Sequence, residues 1–229
     1  VSRLKAGDQV YGGTIGGTYA EYIALEADQV ARKPHNLTFQ EAAALAIPVH
    51  TAHLFLVEQA KLQADQRILI QGAAGSVGQV FVQVAKILGA YVIGTASGEG
   101  ISLLKSLGAD ETIDYKQQDF TQIVKDVDIV IDLVGGETQE KSFAVLKKGG
   151  LLLSAFAPPS PELASKHGVR ARFVEGLPTL KQLEFGTDLI EHGKVIPRIV
   201  KVMKLEEAAA AQQLVTDGGL NGKVVLTID

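Results

Sequence analysis

Three glycines spaced three residues apart stand between a short apolar run and a segment with helical periodicity. The chain reads RILIQGAAGSVG over residues 67–78, and the apolar positions that follow recur at helical spacing. A strand, a glycine turn and a helix in this order present backbone amides and a helix N-terminus to a pyrophosphate. The pattern predicts that Gly72 makes the turn, Gly75 admits the phosphates and Gly78 lets the helix pack on the strand.

From residue 67 onward, predicted strands and helices alternate. Near-continuous apolar runs are typical of parallel strands that are covered on both faces. The strands are predicted at 68–70, 91–93, 129–131 and 151–153, and the helices between them at 78–88, 101–107 and 139–146. This alternation predicts an α/β fold with a doubly wound parallel sheet of the Rossmann type.

The two ends of the chain carry a different pattern. Residues 1–34 predict short strands with glycine turns, at 9–11 and 19–23, which is typical of a partial β domain. Thr38 and Glu41 have the spacing of a capping box, so we expect a helix that begins there and ends at Pro48. The remaining predicted elements are a helix at 49–59, a helix at 180–192, a strand at 199–202, a helix at 205–216 and a strand at 223–228.

Composition excludes several classes of function. The chain has 229 residues, a net charge of −4 and no basic cluster, so neither a nucleic acid nor an anionic membrane is an expected partner. No apolar run is long enough to span a bilayer and none resembles a signal peptide, so we expect a cytoplasmic protein. The absence of cysteine excludes disulfides, thiolate nucleophiles and cysteine-ligated zinc in this chain.

Two alternative interpretations concern the glycine turn, and a third concerns a pair of histidines. The glycine turn is also compatible with an ordinary strand–helix junction. Residues 74–78 resemble a nucleophile elbow with Ser76 as nucleophile and His167 or His192 as base, but the first glycine of G-x-S-x-G is missing. His50 and His53 are three residues apart on a predicted helix, yet no third ligand lies at a suitable spacing, so we expect packed histidines and no metal site.

Several further motifs occur in a fixed order from one end of the chain to the other. Together with the glycine turn, they resemble the zinc-free quinone oxidoreductase (zeta-crystallin-like) branch of the medium-chain dehydrogenase/reductase superfamily. They are GDQVYG at 7–12, GTYAEY at 17–22, EAAAL at 41–45, LGADETIDY at 107–115, DIVIDLVGG at 128–136, LKKGG at 146–150 and GKVVL at 222–226.

The resemblance implies NADPH-dependent reduction of quinones or α,β-unsaturated carbonyl compounds by hydride transfer without metal. It implies a partial GroES-like catalytic domain at 1–46, a dinucleotide-binding domain at 47–181 and a return to the catalytic domain at 182–229. On this comparison the front half of the GroES-like domain is missing, so we expect this chain to be inactive or impaired. The alternative is a module that binds NADPH without turnover, as a sensor or a structural protein.

The resemblance also assigns residues to parts of the cofactor, although no catalytic side chain is identified. The assigned positions are Ala74, Gly75, Ser76 and Val77 at the pyrophosphate; Thr95, Ser97 and Tyr115 at the adenosine ribose and its 2′-phosphate; Val134 and Gly135 at the nicotinamide ribose; and Thr51, Phe156, Phe173 and Val174 at the nicotinamide. The strand at 170–174 is expected at the sheet edge, where it pairs with its mate in a homodimer.

NADPH is expected to bind more tightly than NADH. An NAD-specific fold usually places an acid on the ribose 2′-hydroxyl about 20 residues after the turn. That position falls in residues 94–97, which hold no carboxylate. Because Glu99 is close by and no arginine occupies this loop, the expected selectivity is modest.

Overall fold

The computed structural model describes residues 3–228, which divide into two compact units. The second unit runs from Leu54 to Glu175, and the first comprises the described residues up to His53 and from Gly176 onward. The structural boundaries therefore follow His53 and Glu175. The predicted domain limits after residues 46 and 181 stay a prediction.

The elements are numbered here in chain order. The strands are β1 (Val10–Gly12), β2 (Val30–Arg32), β3 (Arg67–Gln71), β4 (Tyr91–Ala96), β5 (Glu111–Asp114), β6 (Val127–Asp132), β7 (Leu146–Ser154), β8 (Arg170–Phe173), β9 (Ile199–Lys204) and β10 (Lys223–Thr227). The α-helices are α1 (Phe39–Ala52), α2 (Gly78–Ile87), α3 (Glu99–Ser106), α4 (Phe120–Ile123), α5 (Gly136–Ser142), α6 (Pro161–His167), α7 (Leu180–Glu191) and α8 (Ala208–Asp217).

The second unit is built on one parallel sheet. Its six strands lie in the order β5-β4-β3-β6-β7-β8, which confirms the predicted doubly wound fold. The order reverses between β3 and β6, where Gln71 lies opposite Asp132 at the carboxyl ends of the two strands. Open α/β sheets bind their ligands outside the carboxyl ends of the strands at such a switch point.

The burial of each strand explains whether it could be predicted from the sequence. Leu69, Val130 and Leu152 are fully buried at the centre of three neighbouring strands. Strand β5 was not predicted, because only Ile113 of its four residues is buried and the strand therefore has no apolar run. The predicted helix at 139–146 instead begins at Gly136, and its last residue opens β7.

Helix α1 confirms the capping box and contradicts the predicted end at Pro48. The Thr38 side chain accepts a hydrogen bond from the Glu41 amide, and the Glu41 carboxylate accepts one from the Thr38 amide. The helix passes through Pro48, at a cost of about 3 kcal/mol. Burial of Leu45 and Val49 on either side contributes about 3–6 kcal/mol, which is enough to offset that cost. The chain then continues as a π-helix at His53–Gln59.

The first unit contains two small sheets. Strands β1 and β2 pair antiparallel, and β9 and β10 pair parallel on either side of α8 in the chain. The strand predicted at 19–23 is wrong: this segment has no regular structure, and the Tyr22 side chain is 89% exposed. A short segment with residues that favour strands forms one only where a neighbouring strand and a core are available to it.

Tyr11 of β1 is a buried polar residue of the first unit. Its hydroxyl donates to the Leu183 carbonyl oxygen at 2.7 Å and lies 3.0 Å from the Thr187 hydroxyl. Burial raises the pKa of Tyr11 to about 12. The phenol is therefore a fixed hydrogen-bond donor that ties β1 to α7.

Candidate functional site

The glycine turn lies between β3 and α2 and has the geometry expected of a phosphate-binding loop. Gly72 adopts a φ of +72°, which favours glycine, and its carbonyl oxygen accepts a hydrogen bond from the Gly75 amide at 3.1 Å. Gly78 is packed so tightly that a Cβ atom there would lie 2.4 Å from the Gly72 carbonyl oxygen. The predicted structural roles of Gly72 and Gly78 are therefore confirmed.

Four backbone amides at this turn have no partner within the protein. Across residues 3–228, no hydrogen bond is donated by the amides of Ala74, Ser76, Val77 or Gly78. Gly75 is exposed beside them, and a Cβ atom there would meet only the Gly72 carbonyl oxygen, at 3.3 Å. Unpartnered amides at a helix N-terminus attract an anion. The residues present therefore fit a pyrophosphate group.

Thr95 supports the turn from the neighbouring strand. It is only 3% exposed, and its hydroxyl accepts from the Gly72 amide at 3.2 Å and donates to the Gln71 side-chain oxygen at 2.9 Å. Its carbonyl oxygen accepts from the Ala73 amide at 3.1 Å. The contacts of Thr95 in this structure are thus with the turn, while its predicted place at the adenosine ribose stays a prediction.

The ends of β4 and β5 bring Ser97 and Tyr115 together. The Ser97 hydroxyl donates to the Tyr115 hydroxyl oxygen at 3.1 Å, and the Tyr115 side chain is 57% exposed. The Tyr115 proton therefore remains available to a ligand. Glu99 is exposed in the first turn of the neighbouring helix α3. The structure thus places two hydroxyls and one carboxylate near the carboxyl end of β4.

Val134 and Gly135 follow β6, and Phe156 follows β7. Val134 lies against the glycine turn, since a Cβ atom on Gly72 would be 3.1 Å from Val134 Cγ2. The Phe156 ring covers Gly135, where a Cβ atom would be 2.2 Å from the ring. Both Val134 and Phe156 expose a large part of their side chains to solvent. The structure therefore joins these three predicted residues and the turn in one surface.

The other residues assigned to the nicotinamide have different surroundings. Phe173 ends β8 and is 38% exposed, and the Val174 amide donates to the Ser154 carbonyl oxygen at 2.9 Å. Thr51 belongs to α1 in the first unit, where its hydroxyl donates to the Ile47 carbonyl oxygen one turn earlier. The predicted roles of these residues at the nicotinamide stay predictions.

Two residues of the site were missed in the sequence. Asp132 and Gln139 are buried, and their side chains join each other and the loops after β6 and β7. The sequence did contain a signal for Asp132, which is the last residue of the apolar run VDIVID. An acid that is buried at the end of such a strand needs hydrogen-bond donors around it.

The histidines weighed as zinc ligands or as general bases have other partners. The ring nitrogens of His50 lie 2.7 Å from the Gln182 side-chain oxygen and 3.1 Å from the Gly176 carbonyl oxygen. His53 packs edge-on against Phe185, with ring centroids 4.7 Å apart. His167 packs on Phe143. Among the residues that the structure describes, no cluster of three potential ligands from His, Cys, Asp and Glu could hold a metal ion.

Within residues 3–228, every helix is too short or too polar to cross a bilayer.

A family model described as a zinc-binding dehydrogenase matches residues 107–226. The chain is 37% identical over 242 residues to a 2-methylene-furan-3-one reductase of Solanum lycopersicum, which covers 99% of the chain. The match spans 59% of that relative's length. Other relatives carry names that place them in mitochondria or in chloroplasts.

Solved structures agree with the fold. The quinone oxidoreductase of Coxiella burnetii superposes on all of the chain and on 74% of its own length, with a TM-score of 0.91 and 32% identity. The quinone oxidoreductase of Escherichia coli complexed with NADPH superposes on all of the chain and on 77% of its own length, with a TM-score of 0.89 and 26% identity.

Proposed function

The chain belongs to the medium-chain dehydrogenase/reductase superfamily, and from this premise we propose that it is an NADPH-dependent oxidoreductase acting on quinones or α,β-unsaturated carbonyl compounds. The observation that carries the proposal is the set of unpartnered amides around the exposed Gly75. The names of the relatives support both substrate classes, since two are quinone oxidoreductases and a methylene-furanone is a conjugated enone. When bound, the nicotinamide supplies a hydride to the electrophilic carbon.

The protein's own residues bind and orient in this proposal. The amides of Ser76 and Val77 donate to the pyrophosphate, and the positive end of the α2 dipole favours its charge. Ser97 and Tyr115 bind the adenosine ribose, while the surface of Val134 and Gly135 borders the second ribose. Positioning of this kind is the main contribution of a protein whose cofactor supplies the chemistry.

The experiment measures binding and turnover separately. Calorimetry gives the affinity of the purified chain for NADPH, and absorbance at the nicotinamide band follows NADPH oxidation with 1,4-naphthoquinone or an exocyclic enone. Tight binding with oxidation supports the reductase. Tight binding without oxidation of either substrate favours the module that holds NADPH without turnover. Absence of NADPH binding would contradict both functions.

We propose that NADPH binds more tightly than NADH, by about tenfold. Residues 94–97 hold no carboxylate, and the hydroxyls of Ser97 and Tyr115 lie 3.1 Å apart at the end of β4. A 2′-phosphate therefore meets hydrogen-bond donors at this position. The E. coli relative was solved with NADPH, which supports the same preference. The exposed carboxylate of Glu99 weakens it by like-charge repulsion of about 1 kcal/mol.

Replacing Glu99 with arginine is expected to tighten NADPH binding by about tenfold and to leave NADH binding nearly unchanged. The reason is that only NADPH carries the 2′-phosphate that a guanidinium would pair. Calorimetric titration of both cofactors checks this. The Glu99→Gln variant, which removes only the charge, should have an NADPH affinity between that of the unaltered chain and that of Glu99→Arg. If NADH were the tighter ligand of the unaltered chain and Glu99→Arg changed nothing, the interpretation of this loop would be wrong.

We propose a homodimer in which β8 pairs with its two-fold mate. In the described part of the chain β8 pairs only with β7, so its other edge is open. An open edge is a liability that pairing removes. The Val174 amide donates to β7, so by the alternation of a parallel ladder the amides of Ala171 and Phe173 point away from it.

Sedimentation of the unaltered chain is expected to give twice the mass of one chain. Ala171→Pro removes an outward amide without touching the bonds to β7, so this variant should sediment as a monomer with an unchanged circular dichroism spectrum. A monomer at high concentration of the unaltered chain would count against the proposal.

We also propose that the reaction uses no metal and that the protein acts in the cytoplasm. Cysteine is absent, and both ring nitrogens of His50 face carbonyl oxygens. Elemental analysis of protein purified without a histidine tag is expected to find well under one zinc per chain. One zinc per chain, removable only with loss of activity, would overturn the first proposal. Imaging of the tagged native protein tests the proposed location in the cytoplasm.

A further inference from the structure

The buried carboxylate of Asp132 connects two loops at the switch point of the sheet. Asp132 ends β6 and is fully buried. One of its oxygens accepts hydrogen bonds from the Val134 amide at 3.0 Å and the Gly135 amide at 2.8 Å. A buried carboxylate is stable only when donors surround it. The loop after β6 therefore has to fold back so that both amides face this oxygen.

Ser154 extends the same network to the next strand. It lies opposite Asp132 at the end of β7, and its hydroxyl donates to the second Asp132 oxygen at 2.8 Å. The Ser154 oxygen also accepts from the amides of Phe156 at 3.1 Å and Ala157 at 3.3 Å. One carboxylate and one hydroxyl thus hold the backbone of both loops.

Gln139 of α5 completes the connection. Its side-chain nitrogen lies 2.9 Å from the second Asp132 oxygen, 3.0 Å from the Ser154 hydroxyl and 3.0 Å from the Ala157 carbonyl oxygen. All three side chains are at most 6% exposed, so water does not compete with these bonds. The two loops are therefore held together by side chains that are buried beneath the surface.

The exposed surface above this network is the one that borders the nicotinamide half in the proposed function. Gly135 has a φ of +77°, and the Phe156 ring lies directly over it. We infer that Asp132 and Ser154 are positioning residues, which act through Val134, Gly135 and Phe156 to shape the seat of the nicotinamide and its ribose. This inference rests on the proposed function, because it assigns a role toward the same cofactor.

The two halves of the cofactor should respond differently when the Asp132 network is broken. The adenosine half is assigned to Ser97 and Tyr115, which directly follow β4 and β5 and make no hydrogen bond to Asp132, Gln139 or Ser154. A loss confined to the nicotinamide half is therefore expected when the network is broken. A general loss of structure would weaken both halves together.

The experiment compares two probes on the whole chain by calorimetry: NADPH and adenosine 2′,5′-bisphosphate, which lacks the nicotinamide and its ribose. Asp132→Asn replaces one acceptor oxygen with a donor, and Ser154→Ala removes the hydroxyl. Each is expected to lower NADPH affinity by about tenfold and bisphosphate affinity by less than about twofold.

Ser142→Ala is the matched control. Ser142 is as fully buried as Ser154, and its hydroxyl also makes buried hydrogen bonds, to the Gln71 side-chain nitrogen at 3.1 Å and the Thr138 carbonyl oxygen at 2.7 Å. It makes no hydrogen bond to the backbone of the loops after β6 and β7. The ratio of the two affinities should stay unchanged in this variant.

The outcomes distinguish the inference from the proposed function. If the unaltered chain bound neither probe, the proposed function would fall and this inference with it. If the unaltered chain bound both and Ser154→Ala weakened both equally, or changed neither, only the inference would be overturned. Should Asp132→Asn fail to fold, Ser154→Ala alone decides.

Discussion

Valine in place of Gly75 is expected to lower the affinity for NADPH by about a hundredfold or more while the protein remains folded. Gly75 is exposed and has no positive φ, and a Cβ atom there would meet one protein atom, the Gly72 carbonyl oxygen at 3.3 Å. The branched side chain would stand among the unpartnered amides of Ser76 and Val77. It therefore excludes the pyrophosphate from its donors without disturbing the core.

Calorimetry with NADPH and thermal unfolding together check this prediction. Gly16→Val is a suitable control, because Gly16 also lacks a positive φ and has open space around its Cβ position, but lies in the first unit. That variant should bind NADPH as the unaltered chain does. An unchanged affinity in a folded Gly75→Val variant would show that the phosphates bind elsewhere.

The fold was predictable where local sequence and tertiary environment agree. Parallel strands covered on both faces require continuous apolar runs, so β3, β4, β6 and β7 were visible. The prediction failed where tertiary packing decides, as at Pro48, which the burial around α1 tolerates. It failed at 19–23 for the converse reason, since strand-favouring residues alone do not supply a partner strand.

The site was predictable in its local part only. The glycine turn is contiguous in the chain, and each glycine has a steric requirement that a sequence pattern records. The Asp132 network is different, because Asp132 and Ser154 are brought together by the pairing of β6 with β7. Gln139 reaches the same point from the helix between them. Such a network becomes visible only when the register of the strands is known.

Alanine in place of Gly78 is expected to destabilise the protein where the same change at Gly75 does not. The added Cβ atom would lie 2.4 Å from the Gly72 carbonyl oxygen and 2.7 Å from Ala73 Cα, and both are backbone atoms that cannot turn aside. Such crowding costs about 3 kcal/mol, and alanine in a helix regains at most about 1 kcal/mol. The free energy of unfolding should therefore fall by about 2 kcal/mol, which lowers the melting temperature by roughly 4–8 °C.

Gly75→Ala is the matched comparison for this change, because it adds the same carbon atom three residues earlier in the same turn. Its expected effect on the free energy of unfolding is within about 0.5 kcal/mol, since its Cβ atom meets only one atom at 3.3 Å. Thermal and denaturant unfolding of the two variants measure the difference. If Gly78→Ala unfolded at the same temperature as Gly75→Ala, the close packing of α2 on the turn would be wrong, and with it the reason for a third glycine.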